Sequence, residues 1–321
     1  MSPSVALKTA RADCGQFAED VACYLSRTPR EMPSQYLYDE LGSALFEAIC
    51  RLPWYRITRL EQELLRRHAD DIFARLPALS TLVELGSGNG EKLATLMKTP
   101  ARGPMTAHLV DVSPNALAAA IRALSVYPDL ALVAHRATYE EGLVEATRER
   151  RPGGQTLVVF LGSNLGNFDP PGADVLLRGV RAALTHGDSL LLGADLVKPE
   201  HELLLAYDDP LGVTAAFNKN LLVRANRELG ADFDVDGFAH RAVWNPQASR
   251  IEMHLVSLRR QEVRVPAAGL DITFQPDEAI WTESSYKYRP GDVRAVLDRA
   301  GFAALDQWTA DGFALTLAGA K

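Results

Sequence analysis

The chain has 321 residues, 47% hydrophobic and 23% charged, with a net charge of −7, proportions that suit one large α/β domain or two domains. No Lys/Arg stripe is present to neutralise phosphates, so nucleic acid is not an expected partner, and no apolar run approaches the ~20 residues that cross a bilayer. Cys14, Cys23 and Cys50 have no C-x-x-C spacing and no histidine cluster, and the N-terminus shows no signal-peptide pattern; reduced thiols, a cytoplasmic location, no membrane and no metal are expected.

Taken in order, Ala12 to Ser26 is amphipathic, with Phe17, Val21 and Leu25 at four-residue steps, until Pro29 and Pro33 break the pattern. Gln35-Tyr36-Leu37-Tyr38-Asp39 leads into a second helix that reaches Leu52 and ends at Pro53-Trp54-Tyr55. Tyr38 and Tyr55 suit the cover of a pocket and the packing of a helical subdomain equally well. Thr58 to Leu76 is a third helix, Glu and Arg on one side and Leu on the other. Strands at 81–85, 106–112, 131–137, 156–162 and 188–195 then alternate with helices at 90–99, 114–125, 140–148 and 172–185. Such alternation predicts a parallel sheet covered on both faces. Ser113-Pro114 supplies an N-cap hydroxyl and a first-turn proline.

After Leu196 the alternation stops. Residues 201–227 read as helical, and antiparallel strands follow at Arg250–Leu258, Glu262–Pro266, Asp271–Phe274 and Ala279–Tyr288. A helix at 290–300 and strands near 302–308 and 312–319 close the chain. The late insertion, with the N-terminal helices, predicts a second domain at 1–60 and 198–287 beside a sheet domain at 61–197 and 288–321. Asp232-Phe233-Asp234-Val235-Asp236-Gly237 imitates a calcium loop, but its twelfth position is Val243 rather than Glu, so a solvated acidic loop is expected.

The chemistry centres on Glu84-x-Gly86-x-Gly88-x-Gly90, where an apolar strand turns into a helix over a nucleotide-like ligand. Dinucleotide loops want glycine where Glu91 stands; the spacing present is that of S-adenosylmethionine (AdoMet) methyltransferases. Asp111 ends the next strand, where an acid accepts from ribose hydroxyls or is a plain loop carboxylate. Phe160-Leu161-Gly162-Ser163-Asn164-Leu165-Gly166-Asn167 closes the fourth strand. Asn167 can orient an amine without becoming charged, or can be a turn asparagine.

Several segments together resemble the histidine Nα-methyltransferases of ergothioneine biosynthesis. They are Tyr38-Asp39, Leu52-Pro53-x-Tyr55, Val83-Glu84-Leu85-Gly86-Ser87-Gly88, Val159-Phe160-Leu161-Gly162-Ser163, Gly193-x-Asp195-Leu196-Val197-Lys198, Ala206-Tyr207-Asp208-Asp209, Arg227-Glu228-Leu229 and Arg250-Ile251-Glu252-Met253. The resemblance implies a Rossmann-like class I methyltransferase sheet with a second α+β substrate-binding domain. It also implies three AdoMet-dependent methylations of the histidine α-amine to hercynine, by a chain expected to be a monomer. Carried over by position, Gly86, Gly88, Lys92, Asp111, Thr138, Tyr139 and Gly162 would hold AdoMet. Tyr55 and Tyr207 would take the substrate carboxylate, Asn167 the α-amine with Tyr38 near it, and Glu283 and Ser285 the imidazole, beside Met253. On an extended strand the side chains at 283 and 285 point the same way; without the resemblance they would read as a polar surface strand. The family usually has an acid where Thr138 stands, so adenine contact there should be weaker. Alternatives are another aromatic amino acid or amine as acceptor, a scaffold without catalysis, and a nicotinamide dehydrogenase, which Glu91 disfavours.

Overall fold

A computed structural model of the chain describes residues 5–9, 14–98 and 103–321. The expected helix start at Ala12 and helix end at Thr99 lie outside the described residues. In chain order the elements are β1 (Val5–Thr9), α1 (Cys14–Leu25), β2 (Arg30–Glu31), α2 (Glu40–Arg51), α3 (Ile57–Ala74), β3 (Leu79–Leu85), α4 (Glu91–Leu96) and β4 (Met105–Asp111). Next come α5 (Pro114–Leu124), β5 (Leu130–Arg136), α6 (Tyr139–Arg148), β6 (Gln155–Phe160), α7 (Pro170–Ala183), β7 (Ser189–Asp195), α8 (Glu200–Tyr207) and α9 (Val213–Leu229). The remainder are β8 (Phe238–Asn245), β9 (Arg250–Ser257), β10 (Gln261–Val265), β11 (Leu270–Phe274), β12 (Ala279–Tyr286), α10 (Pro290–Arg299), β13 (Phe302–Ala310) and β14 (Phe313–Ala320).

These elements divide into two units. The first comprises Ile57–Val197 and Lys287–Lys321 with β1; its eight strands run in the order β1-β5-β4-β3-β6-β7-β14-β13. The apolar runs of β3, β6 and β7 are buried almost throughout, as strands covered on both faces must be. Val83, Val158, Phe160, Leu190 and Leu192 are fully buried in its core. Because β3 lies between β4 and β6, the chain winds in opposite directions from β3, and the C-terminal ends of β3 and β6 flank the switch point where α/β sheets bind ligands. Ser113 caps α5 by accepting from the Ala116 amide at 3.3 Å, with Pro114 in the first turn.

The sheet is mixed rather than parallel throughout. β14 runs antiparallel to both β7 and β13, because Asp311 (φ 41°) and Gly312 (φ 88°) join β13 to β14. Two consecutive positive-φ residues of this type make a tight hairpin, which only antiparallel strands can use. A second difference is β1, which pairs parallel with β5 at the sheet edge rather than belonging with the N-terminal helices.

The second unit comprises Lys198–Tyr286 with the segment from α1 to Arg56. A four-stranded sheet runs β2-β12-β9-β8, and β10 and β11 form a separate antiparallel pair. β8 was not among the expected strands. The expected helical stretch 201–227 divides at Asp209-Pro210, where the Asp209 carboxylate accepts from the amides of Leu211 (3.0 Å), Val213 (3.2 Å) and Thr214 (2.7 Å). A proline that cannot continue a helix and a side chain that starts the next one explain the break.

Candidate active site

In the first unit β3 passes to α4 through Gly86 (φ 74°), Gly88 (φ 51°) and Gly90 (φ 77°), all left-handed. Each serves a different need. A Cβ at Gly86 would lie 2.7 Å from Asn164 Nδ2 and 3.2 Å from Tyr139 Oη, and one at Gly90 2.7 Å from Ala120 Cα on α5. A Cβ at Gly88 would meet nothing within 4 Å among the described residues, so its backbone borders open space. The Gly88 amide donates to Asp111 Oδ2 and the Ser113 amide to Asp111 Oδ1, each at 2.9 Å. Burial pushes the Asp111 carboxyl upward, and these amides oppose it. Asp111 is thus fastened to the glycine loop, and a carboxylate with about four acceptor sites still has capacity for sugar hydroxyls.

The end of β6 supplies the facing half. Gly162 (φ 76°) and Ser163 (φ 58°) turn the chain into a 3-10 turn at Asn164–Asn167. The left-handed non-glycine Ser163 is held by its hydroxyl, which accepts from the Asp195 amide at 2.9 Å; such strain persists where the surroundings fix it. Asn167 is half-buried at the end of this turn. Tyr139 packs its ring edge-on to Phe160, centroids 5.2 Å apart, and burial raises its phenol pKa. Thr138 is the N-cap of α6, in a capping box with Glu141. Its hydroxyl therefore has a structural duty at the position where the resemblance implies an acid.

Sequence reasoning missed Glu61. It is fully buried on α3, where its carboxylate pairs with Lys92 Nζ at 2.7 Å and accepts from the Gly162 amide at 2.8 and 2.9 Å. The signal was available: Ile57, Glu61, Leu64, Leu65 and Ile72 form the buried stripe of α3, and an acid on an apolar stripe is out of place unless it has partners. Glu84, at the end of β3, is also buried; its Oε2 has no hydrogen-bond partner among the described residues. Burial pushes its carboxyl up to about 8, against the pull of Lys92 and with the push of Glu61 and Asp111.

An orphaned buried acid, a bare glycine cradle, a lysine and a fastened aspartate fit the parts of AdoMet. An acid suits an ammonium, a lysine a carboxylate, and an aspartate vicinal hydroxyls.

In the second unit, Tyr207 Oη lies 2.8 Å from Ser285 Oγ. The rings of Tyr55 and Tyr207 are 6.1 Å apart, Phe46 lies 6.1 Å from Tyr55, and Tyr38 meets Phe46 and Phe217 at 5.5 Å. Burial raises the Tyr55 phenol pKa far above its ordinary value, with Tyr207, Cys50, Tyr38 and Glu283 adding to the effect. His240 donates or accepts at both ring nitrogens: Nε2 lies 2.8 Å from the Tyr207 carbonyl oxygen and Nδ1 2.9 Å from Asn218 Nδ2. A carbonyl can only accept, so Nε2 carries the proton and Nδ1 accepts from Asn218.

The placement of Glu283 and Ser285 rests on a bulge. Ile280 pairs with Leu255 and Trp281 with His254, but Glu283 pairs with Met253 and Ser285 with Ile251. Thr282 is the extra residue, and its hydroxyl donates to the Met253 carbonyl at 3.0 Å. Paired residues share a face, so Glu283 and Ser285 lie on the face of buried Ile251, Met253 and Leu255. Regular alternation from Ile280 would have put Thr282 and Ser284 there instead. The other face carries Arg250, whose guanidinium stacks 4.3 Å over Trp281 and donates to Tyr286 Oη at 2.6 Å.

The expected residues thus fall into two sets. Gly86, Gly88, Lys92, Asp111, Thr138, Tyr139, Gly162 and Asn167 belong to the first unit; Tyr38, Tyr55, Tyr207, Met253, Glu283 and Ser285 belong to the second.

The chain is similar to a "Histidine N-alpha-methyltransferase" of Mycobacterium tuberculosis, 44% identical over 95% of this chain and 96% of the relative. It is 42% identical to the protein of that name from Mycolicibacterium smegmatis over 93% of each chain. The "L-tryptophan methyltransferase trpM" of Psilocybe serbica is 27% identical over 87% of this chain and 85% of its own length. Residues 17–320 match the family described as "Histidine-specific methyltransferase, SAM-dependent", and the chain belongs to that family.

Proposed function

We propose that this chain methylates the α-amine of L-histidine, with AdoMet as methyl donor, in three successive transfers that yield the betaine hercynine for ergothioneine biosynthesis. The observation that carries the reading is the second-unit polar set: Tyr207 and Ser285 share a hydrogen bond, and the Thr282 bulge turns Glu283 to the same face of β12. Histidine is an acceptor that offers both a ring N–H and a ring acceptor to such a set.

AdoMet, when bound, supplies an electrophilic methyl group on a sulfonium centre. Asp111 takes the ribose hydroxyls, Lys92 the donor's carboxylate and Glu84 its ammonium, while Gly86, Gly88 and Gly162 give close backbone approach. Tyr139 and Thr138 take the adenine side. Tyr55 and Tyr207 donate to the histidine carboxylate; the raised pKa of Tyr55 keeps it a neutral donor. Glu283 accepts from one imidazole N–H and Ser285 donates to the other ring nitrogen, its hydrogen bond with Tyr207 opening as Tyr207 turns its own proton to the carboxylate, and Met253 packs against the ring. While the nitrogen still carries an N–H, Asn167 accepts from the α-amine through its amide oxygen and so directs the lone pair, with Tyr38 assisting. Alignment of this kind supplies about 7–11 kcal/mol of a displacement barrier, and the proton that the α-amine loses for each methyl gained passes to solvent. The reading includes a monomer without metal, working in the cytoplasm. No helix among the described residues is long and apolar enough to cross a membrane.

Mass spectrometry of histidine incubated with AdoMet should show a gain of three methyl groups. No gain at all would sink the proposal. The tryptophan-directed relative keeps a second reading in view, another aromatic amino acid as acceptor; competition among free amino acids in one reaction separates the two.

A further inference from the structure

We propose that Glu61 is a positioning residue for the methyl donor: its carboxylate sets where the Lys92 ammonium and the Gly162 turn stand, and donor affinity depends on that arrangement. The inference rests on the reading that Lys92 contacts AdoMet, and it goes further by assigning a residue outside the binding loops.

A buried carboxylate is costly unless paired and hydrogen-bonded, and apolar replacement of a purely structural ion pair is often neutral. Glu61 is fully buried, yet Lys92, its partner, remains a quarter exposed. The pair therefore has one end in the core and the other at the switch-point crevice. Two glycines are shaped around it. A Cβ at Gly193 on β7 would lie 1.9 Å from Glu61 Oε1, and one at Gly162 would lie 2.8 Å from Lys92 Nζ. The carboxylate can cross β7 only because Gly193 has no side chain, and the ammonium can sit over the end of β6 only because Gly162 has none. α3, α4, β6 and β7 thus converge on one carboxylate.

The consequence concerns entropy. A lysine side chain carries large rotamer entropy, which a ligand would otherwise have to overcome when it captured the ammonium. Glu61 removes that freedom beforehand. It also fixes the Gly162 amide, and so the start of the turn that carries Asn164 and Asn167.

Glu61→Gln tests this with little change in shape. The glutamine oxygen can still accept from Gly162, while its NH₂ faces the Lys92 ammonium donor to donor. Calorimetry with S-adenosylhomocysteine is compared for wild type, Glu61→Gln, Lys92→Met and the double variant. The expected result is a Kd about 10- to 30-fold weaker in each single variant, with the double variant no worse than Lys92→Met alone. KM for AdoMet should rise while KM for histidine at saturating AdoMet stays within about twofold, a split that general loosening of the fold does not produce. Binding by Glu61→Gln within about threefold of wild type overturns the proposal, and so do effects that multiply in the double variant. If Lys92→Met binds like wild type, the reading of Lys92 falls and the proposal with it. If histidine gains no methyl while the binding results hold, the acceptor assignment fails and Glu61 keeps its role. Should Glu61→Gln not fold, Glu61→Asp carries the same comparison: it keeps the charge and shortens the reach, and an intermediate Kd is expected.

Discussion

Tyr207, at the end of α8, and Ser285, on β12, hold their hydroxyl oxygens 2.8 Å apart. The resemblance gave them separate duties, one toward a carboxylate and the other toward an imidazole; the structure makes them partners. Tyr207→Phe therefore removes the proposed substrate contact and also leaves Ser285 without this partner. Loss of a buried hydrogen-bonding group costs about 1–3 kcal/mol, so kcat/KM for histidine should fall roughly 5- to 150-fold in Tyr207→Phe. Ser285→Ala should show a smaller loss, and the double variant should fall short of the product of the two. Calorimetry with S-adenosylhomocysteine should give wild-type affinity in all three. Multiplicative effects in the double variant would show that the two hydroxyls act independently.

Discrimination between acceptors should lie at Glu283. A site built to satisfy polar groups rejects an analogue lacking them by as much as about 10⁴–10⁵-fold, whereas an apolar pocket discriminates far less. Glu283→Ala should lower kcat/KM for histidine at least about 100-fold while changing that for phenylalanine or tryptophan much less, so that the ratio collapses. Unchanged histidine turnover in this variant would remove Glu283 from the imidazole site.

Much of this site was legible because parallel strands and glycine turns have strong local signatures. Gly86, Gly88 and Asp111 stand at strand ends where the apolar runs predict them. The parts that were not legible depend on long-range relationships. Glu61 stands on the apolar stripe of α3, which marks it as an acid in need of a partner, but the partners themselves, Lys92 and Gly162, lie far along the chain. Thr282 carries no mark of a bulge, yet it decides which residues of β12 face Met253. The parallel sheet was read from alternation alone, while Asp311-Gly312, a good hairpin signal, made the last two strands antiparallel. A lone histidine such as His240 announces nothing in the sequence until Asn218 and the Tyr207 carbonyl are seen on either side of it.

His240 should make the second unit acid-sensitive. Burial holds its pKa below the ordinary 6.5; the Tyr207 carbonyl, Asp208 and Asp209 oppose that shift and Lys219 adds to it. As pH falls below about 6.5 the unfolded chain takes up a proton before the folded one does, so stability is lost on acidification by at most about 1.4 kcal/mol per pH unit for each such group. Protonation at Nδ1 also sets two donors, His240 and Asn218 Nδ2, against each other. His240→Gln should flatten the fall in Tm between about pH 7 and 5.5 and weaken the acid rise in KM for histidine. His254, whose pKa is also lowered mainly by burial, should retain a residual slope. Identical acid profiles for wild type and variant would assign the whole effect elsewhere.

Glu84 titrates in the opposite sense. Burial raises its carboxyl to about 8 from 4.5, so between those values the folded state holds a proton that the unfolded chain has released. Its contribution therefore weakens as pH rises through that window, by up to about 1.4 kcal/mol per pH unit, and acidification does not remove it. A cationic donor beside this acid favours the carboxylate, so AdoMet binding near pH 7 should expel a proton, approaching ~0.9 per site from the occupancy of a group titrating near 8. Calorimetry in phosphate and in Tris, whose ionisation enthalpies differ, reads that release directly. Glu84→Gln should bind AdoMet more weakly and with the same enthalpy in both buffers, because a neutral amide has no proton to give. A wild-type enthalpy that does not depend on buffer would mean that Glu84 is not the acid that meets the donor's charge.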